Sequence, residues 1–315
     1  MGSKLIAAAI ATAAVWPAPS VRAEQFINVL TGGTSGVYYP LGVAIGEIYS
    51  AKLPDVRVQV QATKASVENL ILLQQGRGEL AFAMGDSLKA AWDGDEEAGF
   101  KGRLDRLRIV GAIYPNYIQV VATADSNIKT LADLRGKRLS VGAPKSGTEL
   151  NSRAILAAAG LGYKDIGKVE FLPFAESVEL MKNRQLDATL QSAGLGVASL
   201  KDLSASIDIH LVSVPKEVVD KIGPPFVPVK IPANTYSGQD KDVPTAAVAN
   251  YLVTSSAVSD DLAYQMTRLI FENLPELAKA HAAGKEIRLE TAATGNLIPL
   301  HPGAVRYYKE KGLLK

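Results

Sequence analysis

Residues 27–51 read INVLTGGTSGVYYPLGVAIGEIYSA, and residues 138–160 read RLSVGAPKSGTELNSRAILAAAG. Each is a short β-rich run, a turn containing glycine, and a run with helical character. The segments downstream of the two stretches also match in order. After the first come the alternating strand VRVQVQAT (56–63), a helix opening SVENLILL (66–73) and the apolar strand ELAFAM (79–84) before Gly85-Asp86. After the second come the strand KVEFLPFA (168–175), a helix opening SVELMKN (177–183) and the strand QLDATL (185–190) before Gln191-Ser192. Gly36 lies thirty positions before Ser66, and Gly147 lies thirty before Ser177. Such an internal repeat of strand–helix units predicts two similarly built α/β lobes, each a mostly parallel sheet flanked by helices. Sheets of that kind bind ligands beyond the carboxyl ends of their strands, so two facing lobes place a cleft between them.

Residues 105–123, DRLRIVGAIYPNYIQVVAT, hold two β-rich runs that read as broken at Tyr114-Pro115-Asn116, where the chain can leave the first lobe. It returns in VPTAAVANYLVT (243–254). The expected division is 24–117 with 249–315 as lobe I and 118–248 as lobe II. Residues 223–244, rich in proline and polar turn residues, read as an irregular surface segment. Residues 260–283 follow a helical pattern whose Met266, Leu269, Ile270 and Leu274 form a packing stripe. At the other end, Lys4, an apolar run from Leu5 to Trp16 and the small residues Val21 and Ala23 predict a cleaved signal peptide over 1–23.

The composition narrows the function classes. The chain has 315 residues, 47% apolar and 21% charged, enough for about two domains with real cores. A net charge of +2 does not fit a nucleic-acid partner. Without Lys4 and Arg22 the 34 basic residues fall to 32, equal to the acidic count, so the exported chain is formally neutral. There is no cysteine, which excludes disulfides, thiolate catalysis, cysteine-ligated zinc and a lipid anchor on an N-terminal cysteine. No later apolar stretch reaches about 18 residues. The expectation is a soluble, monomeric protein of the periplasm.

The two glycine turns carry the chemistry. A helix start presents unpaired N–H groups and partial positive charge, which favours an anion. Gly32, Gly33 and Gly36 let the backbone approach a ligand, while Thr31, Thr34 and Ser35 offer hydroxyl donors. Gly142 and Gly147 have P-loop spacing, but Thr148 stands where the lysine belongs, and the first turn lacks GxGxxG. As local structure alone, Thr148 serves as an N-cap and Glu149 eases the helix dipole. Enzyme signs are missing: His210, His281 and His301 have no metal-binding spacing, and there is no GxSxG. Asp95-Glu96-Glu97 sit in a polar loop, DGDEEAGFKGRLDR (93–106), and His301 before Pro302 reads as a structural residue at a helix start. No cofactor and no metal are expected.

Five stretches together resemble the solute receptors of TRAP transporters, specifically the TAXI family: TGGTSGVYYPLG (31–42), ATKASVENL (62–70), LADLRGKRLSVGAPKSGTE (131–149), TYSGQDKDVPT (235–245) and HPGAVRYYKEKG (301–312). The resemblance implies the fold of a type II periplasmic binding protein, closing over a small organic anion (a dicarboxylate, oxo-acid or acidic amino acid such as glutamate) and delivering it to a TRAP-type integral membrane permease. Relatives often carry TGGS where this chain has Thr63-Lys64-Ala65-Ser66, and QSD where it has Met84-Gly85-Asp86. A binding protein of an ATP-driven importer is the alternative, followed by an enzyme on the same bilobal architecture, which would need a nucleophile or base the sequence does not display.

The expected grip places Ser146, Gly147 and Thr148 opposite the Thr31–Gly36 turn, with Tyr38, Tyr114 or Tyr117 as a wall. Ser66, Asp86, Glu149 and Ser192 complete the candidates. Among these, Asp86 is the acid placed to meet an ammonium, and Gln191-Ser192-Ala193-Gly194 carries no carboxylate. Lys64 and Lys145 add two cations, so the expected ligand is a short dicarboxylate or oxo-acid in preference to glutamate or glutamine.

Overall fold

The computed structural model describes residues 25–315; the expected signal peptide lies outside the described residues. Strand β1 (Gln25–Leu30) leads through the TGGTSG turn into α1 (Tyr38–Lys52), then β2 (Val56–Gln61), α2 (Ser66–Gln74), β3 (Leu80–Met84) and α3 (Gly85–Asp93). The long strand β4 (Leu107–Thr123) carries the chain to a second series: β5 (Arg138–Ser140), α4 (Gly147–Ala158), β6 (Lys168–Glu170), α5 (Phe174–Lys182), β7 (Ala188–Ala193) and α6 (Ala198–Ser206). Next come β8 (Ile209–Val212), α7 (Lys216–Ile222) and β9 (Val227–Ile231). Strand β10 (Val243–Ser255) returns the chain, and α8 (Asp260–Phe271), α9 (Leu274–Ala280), α10 (Leu289–Ala292) and α11 (Pro302–Glu310) finish it.

The predicted repeat is present as two βα series. Their sheets are not separate, however: the strands form one mixed sheet in the order β2-β1-β3-β10-β4-β7-β5-β6, with β8 on β4 and β9 on β10. Pairing is parallel inside each series (β1 with β2 and β3; β5 with β6 and β7) and antiparallel wherever β4 or β10 takes part. Those two strands are long enough to belong to both halves, which is why one sheet runs through. Alternation along β3 sorts its residues between cores: Leu80 and Phe82 join the cluster under α1, and Ala81 and Ala83 join the one under α2. Leu139, Val141, Ile155 and Leu190 lie in the core of the second half.

Several expectations change at this level. Tyr114-Pro115-Asn116 does not break β4. Pro115 pairs with Ala249 beside a register shift between Ala249 and Tyr251, an irregular spot that tolerates a residue with no N–H to give the ladder. The segment 223–244 holds β9, which pairs with β10 despite Pro228. The pattern over 260–283 is two helices, interrupted at Asn273 ahead of Pro275. Helix α5 starts at Phe174, three residues before Ser177, because it follows directly on Pro173. The cap of α4 is Ser146, whose hydroxyl accepts from Glu149 N at 3.1 Å, not Thr148. His301 is structural as expected: its Nδ1 accepts from Gly303 N, and its Nε2 pairs with the Val258 carbonyl at 3.0 Å.

The first half is tied together by one amide. Asn69, fully buried on α2, donates from Nδ2 to the carbonyls of Thr31 (2.7 Å) and Phe82 (2.8 Å) and accepts the Thr63 hydroxyl at Oδ1 (2.6 Å). It thereby joins the end of β1, the loop after β2 and strand β3. Asn69→Ala strands these buried groups together and is expected to cost about 3 kcal/mol, read as a lower urea midpoint; near-native stability would show that water replaces the amide.

Candidate functional site

The carboxyl ends of β1, β2 and β3 face those of β5 and β7 across a cleft of about 120 Å³. One side presents Gly32, Gly33, Gly36, Val37 and Tyr38 from the first glycine turn, Thr63, Lys64 and Ala65 from the loop before α2, and Met84. The facing side presents Ala143, Ser146 and Thr148 at the start of α4, Pro173 and Phe174 at the start of α5, and Ser192 and Ala193 at the end of β7. Tyr114 and Asn116 of β4 form the floor.

A hydrogen-bonded chain crosses that floor. Tyr38 donates its hydroxyl to Asn250 Oδ1 (2.5 Å); Asn250 Nδ2 donates to Asn116 Oδ1 (2.8 Å) and to the Tyr114 carbonyl (2.9 Å); Asn116 Nδ2 donates to the Ser192 carbonyl (3.1 Å). The Tyr38 ring stacks on Phe82 at 5.0 Å and meets Tyr114 edge-on at 6.5 Å. Burial drives the phenol pKa of both Tyr38 and Tyr114 far up, so both remain neutral donors.

Of the sequence candidates, Gly32, Gly33, Gly36, Tyr38, Lys64, Tyr114, Ser146, Thr148 and Ser192 line the cleft. The others lie elsewhere. Thr31 is fully buried beneath the turn and donates to the Gln61 carbonyl at 2.8 Å. Thr34 is exposed, Ser35 half-buried, and neither lines the cleft; Tyr117 points to the other face of β4 from Tyr114 and Asn116. Glu149 faces away, bonded to Arg153 (2.8 Å) and to the Tyr163 hydroxyl (2.8 Å). Lys145 is exposed and off the lining, which removes one of the two cations expected beside the ligand.

Asp86, Ser66 and Gly147 form a seam between the halves instead. Asn151 Nδ2 on α4 donates to Asp86 Oδ2 on α3 at 2.5 Å, and Glu68 N donates to the Lys145 carbonyl at 3.2 Å. The Ser66 hydroxyl accepts from Met84 N at 3.1 Å. Gly147 packs so closely that a Cβ there would lie 2.8 Å from the hydroxyls of both Ser66 and Ser87. Asn116, Asn250 and Phe174 went unnoticed in the sequence. The two asparagines have no local signature, while Phe174 becomes visible once Pro173 is taken as the stop before a helix. Among the described residues, no three His, Cys, Asp or Glu side chains group as metal ligands, and no helix is long and apolar enough to cross a membrane.

A shared sheet with βα series on either side of a cleft is the architecture of the two-lobed type II periplasmic binding proteins, and solved structures agree. PhnD1 of Prochlorococcus marinus, in complex with methylphosphonate, matches with a TM-score of 0.60 at 12% identity, covering 92% of this chain and 100% of that one. The alkanesulfonate-binding SsuA of Xanthomonas axonopodis pv. citri, bound to MOPS, matches with 0.52 at 16%, covering 92% and 94%. A structure from work on glutathione import via GshT and the cystine ABC importer of Streptococcus mutans matches with 0.50 at 12%, covering 83% and 94%. At these identities the likeness is one of fold. The chain belongs to the NMT1-like family, whose model matches residues 29–312.

Burial pushes the Asp86 carboxyl up to about 6, against the pull of the Ser87 and Asn151 donors. The folded state therefore keeps a proton that the unfolded chain releases near 4, and the stability from this group, full below that pH, is lost as pH rises from about 4 to about 6, by up to about 3 kcal/mol. The difference in melting temperature between wild type and Asp86→Asn should change in favour of the variant across that window; a constant difference would contradict the assignment.

Proposed function

We propose that this chain is an extracytoplasmic solute-binding protein that captures a small organic anion in the cleft and hands it to a membrane permease. What carries the reading is the cleft itself, lined from both halves and floored by the strands that join them. Closing over a ligand is what such a layout does, with β4 and β10 flexing where Pro115–Tyr117 pairs with Ala247–Ala249. This reading takes 24–117 with 249–315 as one lobe and 118–248 as the other. An enzyme is disfavoured because the lining has serine, threonine and tyrosine hydroxyls but no histidine or carboxylate to serve as their base.

Two permease classes remain as readings. The structural neighbours, among them one from work on a cystine ABC importer, favour an ATP-driven partner. The five motif stretches favour a TRAP permease. Uptake into membrane vesicles separates them: dependence on ATP with indifference to ionophores supports the first, and the opposite pattern the second.

Binding itself is tested by native mass spectrometry of freshly purified protein and by scattering. A bound small anion and a smaller radius of gyration on saturation are expected. Gly147→Val should wedge the seam, keep the radius large and weaken binding at least tenfold, since its Cβ alone would lie 2.3 Å from Met84 Cε and 2.8 Å from the Ser66 and Ser87 hydroxyls. Wild-type compaction and affinity in that variant would defeat the closure reading.

A further inference from the structure

The charge inventory of the cleft narrows its ligand, given the solute-binding reading above. Among the described residues Lys64 is the one charged side chain lining it, and no carboxylate does. Asp86, the acid best placed by sequence to meet an ammonium, is engaged by Asn151 in the seam, and Glu149 is turned to Arg153 and Tyr163. A buried ammonium here would have no acid, and a second carboxylate would have no second cation; either loses hydration without compensation.

The floor adds an independent observation. Tyr114 is 0% and Ser192 5% exposed, both line the cleft, and neither hydroxyl has a hydrogen-bond partner. Buried polar groups are nearly always paired, and an unpaired one costs about 1–3 kcal/mol. Neighbouring groups are engaged with one another instead, the Asn116 amide with Asn250 and Ser192 and the Tyr38 hydroxyl with Asn250. Both free groups are O–H donors, suited to an acceptor that enters from outside. The walls above them are apolar: Val37, Met84, Pro173, Phe174 and Ala193.

We infer that the cleft takes a singly charged organic acid with a short apolar body and no ammonium group, its carboxylate accepting from the Tyr114 and Ser192 hydroxyls and its body lying against Met84 and Phe174. Lys64 supplies the single counter-charge. This differs from the dicarboxylate expected when Lys145 was counted as a second cation.

Calorimetry with four probes tests the class: 4-methylpentanoate, its amide, leucine and 2-oxoglutarate. The carboxylate should bind at least tenfold tighter than each of the others. Leucine or 2-oxoglutarate matching or exceeding it overturns the inference while leaving the binding-protein reading intact; the amide matching it overturns the role of charge. Silence from all four also overturns the inference, and the wider reading falls only if a thermal-shift panel of other carboxylates, sulfonates and phosphonates is silent too. The double variant Tyr114→Phe with Ser192→Ala separates a ligand contact from a structural one. Removing two unpaired hydroxyls should leave the ligand-free melting temperature equal or higher while weakening 4-methylpentanoate at least tenfold. Unchanged affinity in that variant would overturn the assignment of the head group.

Discussion

The side-chain amide of Asn69 holds three separate pieces of backbone at the carboxyl edge of the first half: the end of β1, the loop after β2 and the body of β3. The sheet ladder joins β1 to β2 and to β3 as far as Leu30, and the amide continues that linkage past the end of β1. An amide has both donors and an acceptor, so one buried residue serves two carbonyls and a hydroxyl at once. The glycine turn after β1 and the Lys64 loop start from those anchored points. The shape of one whole side of the cleft depends on this residue.

The opposite constraint is on the floor. There β4 and β10 are ladder partners, and under the proposed closure they must also let the halves turn. The compromise is visible in the irregular register around Ala249 and in Pro115, which gives no hydrogen bond to the ladder. What the backbone loses there, the side chains replace: Asn250 and Asn116 link α1, both crossing strands and β7 in one line. That line crosses from one half to the other, and beside it the Tyr114 and Ser192 hydroxyls of the cleft stay unspent.

Much of this was legible in the sequence. The two glycine turns and the order of strands and helices within the two series can be read because each is written in consecutive residues. Half of the candidate site residues line the cleft for the same reason: Gly32, Tyr38, Ser146 and Thr148 sit in or beside turns that face it. The misplaced ones depend on partners far along the chain. Asp86 looked like a ligand contact until Asn151, from the other half, claimed it. Glu149 belonged to Arg153 and Tyr163. Lys145 lies in the correct turn, but its backbone is left-handed there (φ 63°) and the residue is exposed, which composition does not encode. Pro115 read as a break because proline usually is one, and only the pairing partner shows why it is not.

The interleaving of the two halves also sets a schedule for folding. Strand β3 has β1 on one side and needs β10 on the other, and its Met84 pairs with Asn250. The first half cannot close its sheet until the second half and residue 250 exist. At about 5–20 residues per second, synthesis leaves that edge open for on the order of ten seconds. An apolar strand with a bare edge for so long invites pairing with another copy. The β3–β10 pairing joins segments far apart in the chain, the non-local kind of contact that costs most loop entropy to form.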